Sequence, residues 1–480
     1  MDELLEGLLD LSRAGATSLT SRLAGQLRSL ISEGHLKSGR RLPSSRALAA
    51  RLNVSRNTVT QAIEQLAAEG YLDVSQSRRP VVAAGASLLT TRQRGDVARD
   101  VSARPRLSAW GRKLAKSNWP PVYRDLPRPF QPGLADEREF PRDIWGRCLR
   151  HAANRRFRWS NFTVNDPTLQ DALLKHLATH RGISARAEQI IVVPSAQAAL
   201  TLIARVMIDV GDVAWIESPG YSGAYAASFA AGAKVVGVPI DADGLRIASN
   251  SQPPKIIFVT PSHQYPTGKL MPIGCRLELL RFARSVGAAI IEDDYDGEFH
   301  YEGRPVAALA AIDPDALVFY VGTFAKSMSA DIRVGYVIVP QSMAPTFVLA
   351  QRHLGLLAAA TLQSALAEFI ERGTYLSHLR RMTRLYGDRR DCLVRVLAEE
   401  AGRRLAVDVP AGGMQLLVRY VGPTDDRSLS RRLLEAGVVT RPLSEMLHHR
   451  SRERGLFLGF AAWTEAELTA GARLIGRHIR

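Results

Sequence analysis

Cysteine is almost missing from this chain: three in 480 residues, Cys148, Cys275 and Cys392. Their wide scatter excludes a disulfide framework and a zinc knuckle and fits a reducing compartment. No apolar run reaches the roughly 20 residues that cross a bilayer. The opening MDELLEGLLDLSRAG begins with acids and lacks the positive start of a secretory signal, so the expected location is the cytoplasm. Internal repeats, low-complexity tracts and clusters of metal-ligating residues are lacking as well. Between about residues 84 and 128 even apolar periodicity is lost, and a stretch rich in Arg, Ser and Pro is expected to be a basic linker. The chain is too long for one ordinary core, so domains are expected on either side, over 1–83 and 129–480. The rest of the composition, 46% hydrophobic and 23% charged, is that of a globular protein.

Acids are nearly lacking from one segment. From Leu11 to Thr60 there are nine Lys or Arg against a single acid, Glu33, which supplies half of the net charge of +16. Such a bias is the footprint of a phosphate-backbone binder or of a solvated basic face, and the pattern decides between them. Leu19, Leu23, Leu27, Leu30 and Ile31 recur at helical spacing. Leu42-Pro-Ser-Ser-Arg46 offers a serine cap to a second helix, with Ala47, Leu48 and Leu52 inward. After the turn Asn53-Val-Ser55, Ser55 caps a third helix to about Glu69, with Val59, Ile63, Leu66 and Ala67 inward. Its first turn, Ser55-Arg-Asn-Thr58, is polar and outward, as a helix that offers its N-terminus to base edges and phosphates requires. Tyr71-Leu-Asp-Val74 and Pro80-Val-Val-Ala83 are expected to be the strands of a wing.

This segment resembles the winged-helix domain of the GntR family, whose signature LPSSRALAARLNVSRNTVTQAIEQLAAEGYLDV follows nearly throughout. The resemblance implies DNA contacts at Arg46, Ser55, Arg56, Asn57 and Thr58. The wing tip departs from it: Ser75-Gln-Ser-Arg-Arg79 replaces the usual glycine-rich turn.

From about Phe130 apolar strands alternate with helical stretches, the pattern of a mostly parallel α/β sheet with helices on both faces. Val321 to Pro340, VGTFAKSMSADIRVGYVIVP, sets Lys326 among small and hydroxylated residues, with Thr323 and Arg333 close by. A lysine becomes a nucleophile toward aldehydes when its surroundings depress its pKa, and a hydroxyl with a guanidinium suits a phosphate. Alone, Lys326 reads first as a surface lysine in a loop. It is accompanied, however, by Ala288-Ala-Ile-Ile-Glu-Asp-Asp-Tyr-Asp296, a strand ending in acids where α/β sheets bind ligands, and an acid there pairs with a pyridinium nitrogen. The strand Gln189–Val193 leads through Pro-Ser-Ala-Gln197 into a helix, either an anion site at its free amides or an ordinary turn. Ser-Pro-Gly-Tyr221 and Ser-His-Gln-Tyr-Pro-Thr-Gly268 repeat the strand-then-turn theme.

The motifs TPSHQYPTG, IIEDDYDGEFHY and GTFAK with IRVGY stand in the order of fold-type I, class I-like aminotransferases. Behind a winged helix they resemble the MocR subfamily of GntR regulators over essentially the whole chain. The resemblance implies a winged helix-turn-helix joined to a large pyridoxal 5'-phosphate-binding domain and a small C-terminal α+β subdomain. It makes Lys326 the internal-aldimine lysine, Asp293 the partner of the pyridine nitrogen, Tyr295 a hydrogen-bond partner of the ring hydroxyl and Tyr221 a stacking ring. Thr323, Arg333, Ser195 and the amides near Ala196 and Gln197 would hold the phosphate. It also implies a head-to-tail homodimer and a regulator sensing pyridoxal phosphate or an amine through an aldimine at Lys326, rather than a working aminotransferase. Two departures bear on this choice. Tyr265 stands where aminotransferases have asparagine, and Phe457 stands where their substrate-carboxylate arginine belongs, with Arg441 as a candidate replacement.

Overall fold

In the computed structural model three serines open the three helices of the N-terminal unit. The structure describes residues 9, 11, 18–75, 79–84, 106–115, 128–154, 164–241, 244–247, 252–303, 307–313 and 317–479. The chain divides into two compact units, Met1–Ser108 and Ala109–Arg480. In the first, α1 (Leu19–Ser32), α2 (Ser45–Leu52) and α3 (Arg56–Ala68) are capped by the side chains of Ser18, Ser44 and Ser55, each accepting a backbone amide of the first turn. Asn53 closes α2 in the left-handed region, φ 50°, and so permits the tight turn into α3. Leu23, Leu27, Leu30, Ile31, Leu48, Val59, Ile63 and Leu66 share one buried cluster. Each such side chain contributes roughly 1.5–3 kcal/mol by leaving water. Leu19 departs from expectation: as the first residue of α1 it has no turn before it to cover, and it is 42% exposed. Ala47, Leu52 and Ala67 are half-buried rather than central. Strands β1 (Leu72–Asp73) and β2 (Val81–Val82) pair antiparallel. Residues 76–78 of the wing tip lie outside the described residues, as does most of the expected linker. Within that linker the structure places a short helix, α4 (Ala109–Leu114).

After α4, the larger unit continues with α5 (Arg142–Asn154) and α6 (Pro167–Arg181). Its sheet consists of β3 (Ile190–Val193), β4 (Val213–Ser218), β5 (Lys234–Pro239), β6 (Ile256–Val259), β7 (Ala289–Asp293), β8 (Val318–Thr323) and β9 (Gly335–Ile338), in the order β3-β9-β8-β7-β6-β4-β5. All neighbours are parallel except β9, which runs against both β3 and β8. Helices α7 (Ala196–Met207), α8 (Ser222–Ala230), α9 (Ile273–Val286), α10 (Leu309–Ile312) and α11 (Ala344–His353) follow individual strands. One sheet face packs Ile191, Ile216, Phe258 and Ile291 against Leu200 and Ile203 of α7, and the other packs Trp215, Ile257 and Ile290 against Leu279 and Leu280 of α9. Because both faces are buried, the inner strands are continuous apolar runs without alternation.

The C-terminal part packs α12 (Ala360–Glu371), the long α13 (Thr374–Ala401), α14 (Asp426–Glu435) and α15 (Glu465–His478) with a second sheet. That sheet, β10 (Leu405–Asp408), β11 (Gln415–Tyr420), β12 (Arg441–Pro442) and β13 (Leu456–Gly459), is antiparallel throughout in the order β10-β11-β13-β12. No helix among the described residues is long and apolar enough to cross a membrane.

Candidate functional site

The carboxyl ends of β3, β7 and β8 lie on one edge of the large sheet, where open α/β sheets bind ligands. Register fixes their neighbours: Asp293 stands opposite Val321, Thr323 opposite Gly335, and Gly335 opposite Val193. Asp293, the Thr323 to Lys326 turn, Arg333 and Ser195 are therefore drawn together from three separate parts of the sequence.

The acids at the end of β7 have separate duties. Glu292 accepts from the amides of Leu309 and Ala310 at 2.9 and 3.1 Å and so starts α10. Asp294 takes Arg181 Nε at 2.7 Å and the Tyr320 hydroxyl at 2.5 Å. Asp296 faces His263 Nδ1 at 3.0 Å. Asp293 is buried with its Oδ1 unpartnered, and burial reinforced by Asp294 and Asp296 pushes its pKa up to about 8. A buried carboxyl in this state lacks a cationic hydrogen-bond donor.

Lys326 extends its Nζ to the carbonyl oxygen of Gly133 at 2.7 Å. Burial holds its pKa below the ordinary lysine range, opposed by Asp296 and Asp293, which is the condition for amine nucleophilicity. Gly133 has φ +82°, and a Cβ added there would lie 2.7 Å from Lys326 Nζ. This glycine sits in a segment without periodicity and sequence reasoning missed it.

Beside the lysine turn lies a cradle of donors. Thr323 Oγ1 accepts the Ala325 amide at 3.2 Å, and Ser195 caps α7 by accepting the Ala198 amide at 3.1 Å. The Ala196 and Gln197 amides in the first helical turn have no partner within the helix. Gly335 lets this turn approach, since a Cβ there would meet Ser195 and Ala196 backbone atoms at 3.1 and 3.2 Å. Two residues earlier, Arg333 is exposed and held at φ 50°, a conformation costly for a non-glycine residue.

An aromatic wall completes the site. Tyr265 meets Tyr221, Tyr295 and Phe457 edge-on, with centroids 5.7, 5.8 and 5.0 Å apart. The Tyr221 hydroxyl donates to Gln197 Oε1 at 3.3 Å and thereby joins the wall to the helix terminus. Burial raises the phenol pKa values of Tyr265 and Tyr295. Arg441 lies opposite Phe457 in the β12/β13 register and donates to the Tyr265 hydroxyl at 3.0 Å. Sequence reasoning noticed Tyr265 only as a departure, and nothing but the folded register reveals it as the hub of the wall.

These features fit pyridoxal phosphate: a nucleophilic lysine in a tight cradle, an orphaned buried acid for a ring nitrogen, and amide, hydroxyl and guanidinium donors for a phosphate. Among the described residues no group of His, Cys, Asp and Glu is placed to hold a metal ion.

In the N-terminal unit Arg46, Ser55, Arg56 and Asn57 are exposed and Thr58 is half-buried. Within the polar first turn of α3, Ser55 Oγ accepts the Thr58 amide at 3.0 Å and lies 2.8 Å from the Thr58 hydroxyl.

The profile described as Aminotransferase class I and II matches residues 139–475, and that described as Bacterial regulatory proteins, gntR family, matches residues 19–82. The chain is 37% identical to the probable rhizopine catabolism regulatory protein MocR of Rhizobium meliloti, over 95% of this chain and 92% of that protein. It is 32% identical to the HTH-type transcriptional regulator TauR of Rhodobacter capsulatus, over 98% of each. It is 29% identical to the HTH-type pyridoxine biosynthesis transcriptional regulator PdxR of Corynebacterium glutamicum, over 94% of each. Among solved structures, Pyrococcus horikoshii kynurenine aminotransferase in complex with PMP superimposes with TM-score 0.69 at 25% identity, over 80% of this chain and 98% of that one. The chain therefore belongs to the MocR-type GntR transcription regulators, which join a DNA-binding helix-turn-helix to the pyridoxal-phosphate fold of the class I and II aminotransferases.

Proposed function

We propose that this regulator uses its large domain to sense pyridoxal phosphate itself or an amine that reacts at the cofactor, and converts occupancy into altered DNA affinity. The observation carrying this reading is a buried Lys326, its Nζ on the Gly133 carbonyl, at the same sheet edge as a buried Asp293 whose Oδ1 has no partner, in a chain that also presents a helix-turn-helix. When bound, pyridoxal phosphate supplies an aldehyde on an electron-withdrawing ring, the chemistry by which amines are captured. Lys326 would hold that group through its amine. Asp293 would keep a positive ring nitrogen in place by charge, Tyr295 would orient the ring hydroxyl and Tyr221 would cover the ring. Thr323, Arg333, Ser195 and the amides of Ala196 and Gln197 would hold the phosphate.

An effector changes DNA affinity only through unequal affinity for two arrangements of the protein, and release of the Lys326 amine supplies such a difference. Arg46, Ser55, Arg56, Asn57 and Thr58 make the DNA contacts. The working molecule is a cytoplasmic head-to-tail homodimer, so two helix-turn-helix units meet paired half-sites. Its segments are a DNA-binding domain over 1–83, a basic linker over 84–128 and the cofactor domain over 129–480. The rival reading, an active aminotransferase, is disfavoured by Phe457 in place of a carboxylate-binding arginine. The test is the visible spectrum of the protein with added pyridoxal phosphate, beside Lys326→Ala. A band that the substitution abolishes supports the reading; no band, or one that survives it, overturns it.

A further inference from the structure

Two loops carry the aromatic wall, and one buried carboxyl joins them. The turn Ser218-Pro219-Gly220-Tyr221 after β4 bears the ring of Tyr221, and the loop after β6 bears Tyr265. In the β4/β6 register Ile216 stands opposite Phe258, so Glu217, the next residue of β4, comes beside Thr260 just past the end of β6. Glu217 is 0% exposed, and among the described residues no cation pairs with it. A carboxyl so deep without a counter-ion persists only where hydrogen bonds replace its hydration.

The direction of each bond follows from its donor. Tyr265 donates its amide to Thr260 Oγ1 at 2.9 Å, so the Thr260 hydroxyl proton is left for Glu217 Oε2, 2.6 Å away. The Thr260 amide donates to the same oxygen at 3.2 Å. Gln264 Oε1 accepts from the amide and hydroxyl of Thr267 at 3.2 and 2.8 Å, which fixes its Nε2 on the opposite side. There Nε2 shares its two protons among the carbonyls of Tyr265 and Pro219, at 2.6 and 2.9 Å, and Glu217 Oε2 at 3.3 Å. The second loop is thus tied to the first at Glu217 and at Pro219, just ahead of Tyr221. The turn is wound closely on this acid, since a Cβ at Gly220 would collide with the Glu217 carbonyl. Burial pushes the Glu217 pKa up to about 7, opposed by the bonds from Thr260 and Gln264. The residue also borders a cavity of about 10 Å³, room for a water-sized group and not for an effector.

We propose that Glu217 is a positioning residue of the cofactor site: through Thr260 and Gln264 it fixes Tyr221 against Tyr265 and so sets how the aromatic wall meets the cofactor ring. This rests on the reading that Tyr221 covers the ring of pyridoxal phosphate held at Lys326. Glu217 acts only through the two tyrosines, so its removal alters the ring's surroundings rather than the lysine.

The test uses the full-length protein and two readouts, absorbance titration with pyridoxal phosphate and the visible circular dichroism per bound cofactor at saturation. The second reports the asymmetry around the ring, which a loss of global stability alone does not change once the site is full. Glu217→Leu is expected to weaken cofactor binding roughly tenfold and to alter the dichroism while the lysine-dependent band persists. Glu217→Gln keeps one oxygen for the donors and puts its amide nitrogen in place of the unpartnered Oε1; it is expected to bind within about threefold of wild type with wild-type dichroism. Thr260→Val, which removes only the hydroxyl link to the Tyr265 amide, is expected to alter the dichroism as Glu217→Leu does, and decides with Glu217→Gln should Glu217→Leu fail to fold. Wild-type dichroism in Thr260→Val and Glu217→Leu, or a Glu217→Gln variant as impaired as Glu217→Leu, overturns the positioning role and leaves the cofactor reading standing. A wild-type protein without a lysine-dependent band overturns both.

Discussion

Replacing Asp293 by asparagine separates what this carboxyl does for the cofactor from what it costs the fold. In the protein without cofactor its pKa is pushed from the ordinary aspartate range up to about 8, chiefly by burial. The folded state therefore keeps a proton that the unfolded state has lost above pH 4. Stability from this group is fully present below the unfolded pKa and is lost as pH rises through the folded one, at about 1.4 kcal/mol per pH unit. Glu217 and Glu292, both pushed up to about 7 by burial, add slopes of the same sign. Asp293→Asn removes one of these slopes, so the cofactor-free variant is expected to lose less stability than wild type between pH 5 and 8, by a few kcal/mol. Cofactor affinity moves the opposite way. Loss of one charge-assisted hydrogen bond costs about 1.5–3 kcal/mol, or roughly ten- to hundred-fold in Kd. Denaturant unfolding from pH 5 to 8 and absorbance titration with pyridoxal phosphate measure the two effects. A variant that binds the cofactor as tightly as wild type, or whose stability falls as steeply with pH, refutes the assignment.

Three further outcomes are expected. Gly133→Ala places a Cβ 2.7 Å from Lys326 Nζ on a backbone at φ +82°; it is expected to destabilise the fold by about 1–3 kcal/mol and weaken the lysine-dependent band, measured by melting and absorbance. Arg181→Leu leaves Asp294 buried without its cation, so chemical unfolding should report a loss of about 3–5 kcal/mol. Arg56→Ala is expected to weaken DNA binding, with the slope of log affinity against log salt falling by about one for a phosphate contact; anisotropy on labelled DNA at several salt concentrations checks it, and an unchanged affinity removes Arg56 from the interface.

Much of this architecture is legible in the sequence because its signals are local. Serine before an apolar helical period marks the caps of α2 and α3, and β3, β6 and β7 are recognisable from unbroken apolar runs between turn residues. Thr323 and Lys326 announce themselves at and just past a strand end, as does the acid cluster 292–296 as a group. What depends on partners distant in the chain stays hidden. The acids 292, 293, 294 and 296 look alike until α6 brings Arg181 to Asp294, the loop after β6 brings His263 to Asp296, and Leu309 and Ala310 draw their amides to Glu292, leaving Asp293 alone. Arg441 is a candidate in the sequence, but its place opposite Phe457 comes only from the register of a two-residue strand too short to give a periodic signal. Leu19 shows the converse error: helical spacing named it as core, but a first-turn position gives its side chain nothing to cover.

The central claim is that the lysine site governs DNA affinity. Anisotropy titration of labelled DNA from upstream of the chain's own gene tests it most directly, using wild type and Lys326→Ala with and without saturating pyridoxal phosphate. The account predicts that pyridoxal phosphate changes the affinity of wild type by roughly five- to 150-fold, and that of Lys326→Ala little or not at all. Equal affinity in all four conditions would contradict it.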